Sequence, residues 1–169
     1  MALAEQASPR CRRPGAFGRP VRRILGRLAP VLLTLVLLGC STITLVSRYD
    51  EQTDQSVTAF GKKMDTFLGS LERNAGKPAV SYDANVDFYE GAHVDIRAMQ
   101  VRAQAIPKND LTVGQLAELM ASLDDLEKLH KIKKDGIPAD QIPVLRTAFQ
   151  RSCGAILKLE LAKKRGETK

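Results

Sequence analysis

Little in these 169 residues supplies the usual equipment of an active site. There is no G-x-S-x-G elbow and no glycine-rich phosphate loop, so no motif argues for a serine hydrolase or a nucleotide-binding enzyme. Cysteine is scarce: Cys11, Cys40 and Cys153 are the whole supply, with no second cysteine near any of them for zinc. No segment alternates apolar and polar residues between hairpin turns, so no β-sheet is expected. A broad excess of one charge is also missing. The formal charge is +7, yet residues 1–39 hold seven of the 26 basic residues and only one acid, Glu5. The remainder has 19 basic and 18 acidic residues, a net +1, and such a balance lacks the concentrated positive surface that nucleic-acid binding needs.

What is present begins with a leader. Arg22, Arg23 and Arg27 precede an apolar run, Val31 to Leu38, broken only by Thr34 and followed by Gly39 and Cys40. Basic, then apolar, then small is the order of a secretory signal peptide, in which the arginines stay cytoplasmic while the apolar run inserts. Leu37, Leu38, Gly39 and Cys40 resemble the lipobox of a bacterial lipoprotein, although Leu38 stands where a small residue is more usual. The resemblance implies cleavage between Gly39 and Cys40, lipidation of Cys40, and a mature chain of 130 residues with Ser41 second. Cys11 is then lost with the leader and Cys40 acylated. Cys153 remains alone, which rules out an intramolecular disulfide even in an oxidising compartment. Residues 1–20 are rich in Ala, Arg, Pro and Gly without periodicity, which places the expected translation start near Val21. Two alternatives stay open: a twin-arginine signal opening at Arg22 and Arg23, and an uncleaved anchor over the 19 uncharged residues Leu28 to Val46.

The rest of the chain reads as helix. Val46, Tyr49, Thr53, Val57, Phe60, Met64, Phe67 and Leu71 recur at steps of three and four, one face of a long helix ending near Arg73. Asn74 to Pro78 breaks it. A second helix is expected from about Tyr82 to Ile106, with Tyr82, Val86, Tyr89, Ile96, Met99 and Ala103 inward. Thr112 and Gln115 form a T-x-x-Q capping box ahead of Leu116, Leu119, Met120, Leu123 and Leu126. Lys131, Lys133 and Lys134 suit the C-terminal dipole of this third helix, and Gly136 its left-handed cap. A fourth helix starts between Pro138 and Pro143, turns Leu145, Phe149, Cys153, Ile156 and Leu159 inward, and frays after Lys164. Short joins imply antiparallel neighbours, hence an all-α, up-down-up-down four-helix bundle after the signal peptide. The expected organisation is a leader at 1–39, a lipidated tether at 40–45, the bundle at 46–165 and a disordered tail at 166–169. Gly61, Gly91 and Gly154 sit inside helices at about 1 kcal/mol each against alanine. Either backbones approach closely there or the bundle is modestly stable.

Two E-x-x-H spacings, Glu90 with His93 and Glu127 with His130, resemble the metal motif of ferritin-like bundles. At about 100° per residue, Glu90 projects toward water and His93 lies at the edge of its stripe; His130 is near the middle of the third helix's stripe, but Glu127 lies about 60° off that middle. The fourth helix offers one inward carboxylate, Glu160, far from the level of His130. No metal, cofactor or catalytic residue is therefore expected, and Cys153 on an apolar stripe reads as a small hydrophobe.

Cys40, the run Tyr49-Asp50-Glu51-Gln52-Thr53-Asp54-Gln55 and the run Ile156 to Lys164 together resemble a family of small, uncharacterised bacterial lipoproteins over most of residues 40–165. The resemblance implies lipid anchorage and no activity, and Ser41 in place of aspartate resembles the outer-membrane sorting pattern. The expected function is non-enzymatic: a lipid-anchored bundle at the periplasmic face of the outer membrane that binds another envelope component. An inner-membrane-anchored adaptor or small-ligand carrier is the alternative. Lys163, Lys164 and Arg165 are expected to form a membrane-proximal basic cluster, because a fourth helix ends where the first begins. Asp50, Glu51 and Asp54, at the same end, could instead pair with that cluster. Attachment of the terminal Lys169 to peptidoglycan is a further use of the same end.

Overall fold

The computed structural model describes residues 46–133 and 135–167. These fold into four α-helices with no strand among them: α1 (Glu51–Arg73), α2 (Val86–Ala105), α3 (Asp110–Ile132) and α4 (Ile142–Glu167). The leader, Gly39, Cys40, the tether, Lys134 and Lys169 lie outside the described residues. Among the described residues no helix is long and apolar enough to cross a membrane.

The buried positions of each helix follow one rhythm. In α1 they are Thr53, Val57, Phe60, Met64, Phe67 and Leu71, with Leu68 beside them. In α2 they are Tyr89, Ala92, Ile96, Met99 and Ala103, and in α3 Thr112, Leu116, Leu119, Leu123, Leu126 and His130. Steps of three and four keep each series on one face, where it packs against neighbouring helices. α1 lies against α4 and α2, α2 against α3, and α3 against α4. Their apolar side chains make one continuous core.

Four local expectations are corrected. α1 does not begin at Val46: Asp50 caps it, its Oδ2 accepting from the Thr53 N–H at 3.1 Å. The N–H groups of Ser47, Tyr49 and Asp50 instead reach Lys108 O, Glu167 and Glu160, so Val46 and Tyr49 are not on the helical stripe. The Thr112–Gln115 capping box does not form. α3 starts at Asp110, and Thr112 is fully buried with its hydroxyl engaged by Glu160 and Lys163; bonds to charged groups outcompete a backbone N–H. In α4 the inward series is Ile142, Phe149, Cys153, Ile156, Glu160 and Lys163, while Leu145 and Leu159 are half-buried. Finally, α4 continues past Lys164, so Gly166 and Glu167 are helical.

The joins follow from residues that refuse helix. After α1, Asn74 folds back on the Ser70 carbonyl, Gly76 takes φ +79°, and Pro78 opens a one-turn 3₁₀ helix, Pro78–Val80. α2 ends at Ala105, before extended Ile106 and Pro107. Gly136 has φ +89°, and a Cβ on it would lie 2.5 Å from Val80 Cγ2 and 2.7 Å from the Val80 carbonyl oxygen. Only glycine fits there.

Candidate functional site

Two polar clusters occupy the ends of the described unit. At the first end, the start of α1, the end of α2, the start of α3 and the end of α4 converge. Lys163 Nζ donates to Glu160 Oε1 at 2.6 Å, Asn109 Oδ1 at 2.7 Å and Thr112 Oγ1 at 2.8 Å. All three ammonium donors are used. Glu160 is fully buried; it also accepts from Thr112 Oγ1 and from the Asp50 N–H. Asn109 accepts from Ser47 Oγ at 2.8 Å and donates to the Ala103 carbonyl at 3.0 Å. Low surrounding polarity strengthens each of these bonds and raises the cost of losing one.

The outer side of this cluster is an ion pair. Arg102 grips Asp50 with two bonds of 2.6 Å. The Arg102 hydrogen bond holds the Asp50 carboxyl below its usual value, at about 2, against the opposing effect of burial and with help from Thr53. Segment Ser47–Asp50 is thereby fastened to α2, α4 and the join between α2 and α3. This revises the expected basic cluster. Lys163 is buried, its side chain only 2% exposed, because it neutralises Glu160, and it is not a surface cation. Lys164 and Arg165 are exposed, with Lys164 Nζ 4.8 Å from the Tyr49 ring centre. Of the three acids expected to pair with the cluster, Asp50 is taken by Arg102 and Asp54 accepts from the Tyr49 hydroxyl.

At the opposite end, His130 is fully buried between the Tyr89 hydroxyl, 2.8 Å from Nδ1, and the Val80 carbonyl, 2.7 Å from Nε2. A carbonyl only accepts, so Nε2 carries the proton and Nδ1 accepts from Tyr89. Burial lowers the His130 pKa, partly offset by the Val80 bond, and the ring is neutral at pH 7. Burial likewise raises Tyr89, which stays protonated. His93 sits at the edge, its Nδ1 on the Tyr89 carbonyl and its Nε2 2.8 Å from Asp124 and 3.7 Å from Glu127. Burial works against the charge of Glu127, but bonds from Lys131 and Tyr82 and the nearby Lys131 and His93 outweigh it and lower its pKa.

The two E-x-x-H pairs do not assemble a common site. Glu90 is exposed, Glu127 is bound by Tyr82 and Lys131, and both nitrogens of His130 are occupied. Among the described residues no three His, Cys, Asp or Glu side chains are grouped to hold a metal ion. Comparison with family models, with curated proteins and with solved structures finds no match. Cys153 is buried at the α1–α4 contact, its Sγ 3.8 Å from where a Cβ on Gly61 would lie, and burial pushes its thiol up to about 11. A thiol so protonated is a poor nucleophile. A groove of about 370 Å³ runs between α1 and α2, floored by Phe60 and Met99 and bridged by Lys63–Asp95 and Asp50–Arg102.

The Lys163–Glu160 network was missed by sequence reasoning, although a signal for it existed. Continuing the steps Phe149, Cys153, Ile156 by four and three lands on Glu160 and Lys163. The same rhythm carried past both ends of the α3 leucines lands on Thr112 and His130.

Proposed function

We propose that this chain is a non-enzymatic lipoprotein, acylated at Cys40 and held at the periplasmic face of the outer membrane, whose up-down-up-down bundle binds another envelope component. The observation that carries this reading is the sequence order Arg22-Arg23, apolar run, Leu37-Leu38-Gly39-Cys40. Two structural features support it. Segment Ser47–Asp50, which follows the tether, is fastened to α2, α4 and the α2–α3 join, as a body carried on a short anchor requires. The buried polar side chains, meanwhile, have partners within the fold: Lys163 bonds to Glu160, and His130 to the Tyr89 hydroxyl and the Val80 backbone carbonyl. Convergence of the start of α1 with the end of α4 supports the alternating direction of the helices and supports reading Lys164 and Arg165 as membrane-proximal.

Metabolic labelling with palmitate in a bacterial host tests the anchor. The wild-type chain should take up label and lose residues 1–39. Cys40→Ala should remain an unlabelled precursor, since two or more acyl chains make a firm anchor and none makes no anchor. A wild type that takes up no label overturns the proposal in favour of an uncleaved Leu28–Val46 anchor.

A further inference from the structure

Charge is distributed unevenly among the helices. α3 carries Asp110, Glu118, Asp124, Asp125 and Glu127 against Lys128 and Lys131. α4 carries Arg146, Arg151, Lys158, Lys163, Lys164 and Arg165 against Glu160 and Glu167. Glu160 and Lys163 face inward and neutralise each other. The outward face of α4 therefore has no carboxylate from Ile142 to Gly166. Arg151, Lys158, Lys164 and Arg165 are exposed on it, together with Val144 and Leu161 at 71% and 49%.

A cationic face that includes exposed apolar side chains matches the interface of an anionic bilayer, where lysine and arginine meet phosphates and short apolar groups enter the headgroup layer. Where the chain begins points to the same occupant. Five residues, hence six Cα–Cα steps, separate Cys40 from Val46 and reach at most about 22 Å. Val46 and Arg48 line a cleft with Leu159 and Ala162 of α4. A body tethered there brings α4 within reach of the lipid surface, whereas the acidic residues of α3 would be repelled by it.

We infer that the outward face of α4, Arg151 to Arg165, lies against an anionic membrane surface. The bundle then rests along α4, with α3 beside it and α2, which does not pack on α4, farthest from the phosphates. Lysine 163 takes no part, and the contacting groups extend back along α4 to Arg151. The inference rests on the anchor reading, but its test separates the two.

The full chain, purified from membranes, is reconstituted in two vesicle preparations, one wholly phosphatidylcholine and one containing about a third phosphatidylglycerol. Amine acylation rates are then read residue by residue. Lys158 and Lys164 should react at least about threefold more slowly in the anionic vesicles than in the neutral ones, while Lys128, 70% exposed on α3, should not change. Added salt should erase the difference. Arg151→Gln with Arg165→Gln, both surface changes, should reduce it. Equal protection of all three lysines, or none, overturns the inference. So does protection that grows with protein density in neutral vesicles, which would assign the face to a second copy of this chain. Retention in neutral vesicles reads the acyl anchor separately: a chain that leaves them but binds anionic vesicles with Lys158 protected refutes the anchor and keeps the α4 surface.

Discussion

Lysine 163 sits at a position that its spacing assigns to the core and its chemistry assigns to water. The conflict is resolved by three acceptors within 2.8 Å, one of them the Glu160 carboxylate. Removing one member of such a pair strands the other charge, at a cost of about 3–5 kcal/mol. Lys163→Met should therefore lower the urea midpoint steeply. Lys163→Met with Glu160→Gln should recover most of that loss, because no uncompensated charge remains, and a double-mutant cycle gives the coupling. If the double variant is as unstable as the single one, the pair is not what holds this end together. The same spacing argument shows why sequence reading, which turned Glu160 inward, left Lys163 in a surface cluster: choosing Leu159 for the core follows hydrophobicity, whereas helical steps of four and three from Ile156 reach Glu160 and Lys163. Composition and geometry disagreed by one residue, and geometry prevailed.

At the scale of an element, glycine separates what a helix tolerates from what a join requires. Gly154 lies within α4, and a Cβ there would meet nothing within 4 Å. Gly154→Ala should stabilise the fold by up to about 1 kcal/mol through helix propensity alone. Gly136 is the opposite case, with φ +89° and a Cβ that would collide with the Val80 backbone. Gly136→Ala should destabilise by at least about 1–2 kcal/mol. Thermal melts of both variants check the pair of signs; a stabilised Gly136→Ala would refute the account of this turn. Close approach of another backbone describes none of the helix-interior glycines: a Cβ on Gly61 would meet the Cys153 side chain at an ordinary 3.8 Å, one on Gly91 the end of the Lys63 side chain at 3.2 Å, and one on Gly154 nothing within 4 Å. The limits of the helices were less legible than their faces. A T-x-x-Q pattern signals a cap only while its threonine is free to cap, and Thr112 is spoken for by residues 48 and 51 positions away.

For the whole molecule, stability should fall in two acid steps. His130 has a folded pKa below its ordinary 6.5, so the folded state resists protonation; the stability this provides is present above pH 6.5 and is lost as pH falls through the folded value. Asp50 is depressed from 3.8 to about 2. Its contribution is present above pH 3.8 and lost as pH falls toward 2. The shift corresponds to at most about 2 kcal/mol, and screening at half-exposed Arg102 reduces that to about 1 kcal/mol. Urea midpoints measured from pH 7.5 to 2 should show both limbs. His130→Gln, whose amide can still donate to Val80, should lose the upper limb only, and Asp50→Asn the lower. A wild-type profile flat between pH 6.5 and 5 would contradict the burial of a neutral His130.

The sequence by itself determined the helical class and most of the inward faces, because the steps of three and four that put Val57, Phe60, Met64 and Phe67 on one side of a helix are a local property of the chain. It also determined that Glu90 points toward water, from its angle to the apolar face of its helix. Only the tertiary structure decided which polar residues would be buried. Whether Lys163 is a surface cation or an internal one depends on whether Glu160, Thr112 and Asn109 stand within bonding distance. Asn109 and Thr112 come from another helix and its approach, and their distance to Lys163 is set by how α3 and α4 pack rather than by any spacing within either.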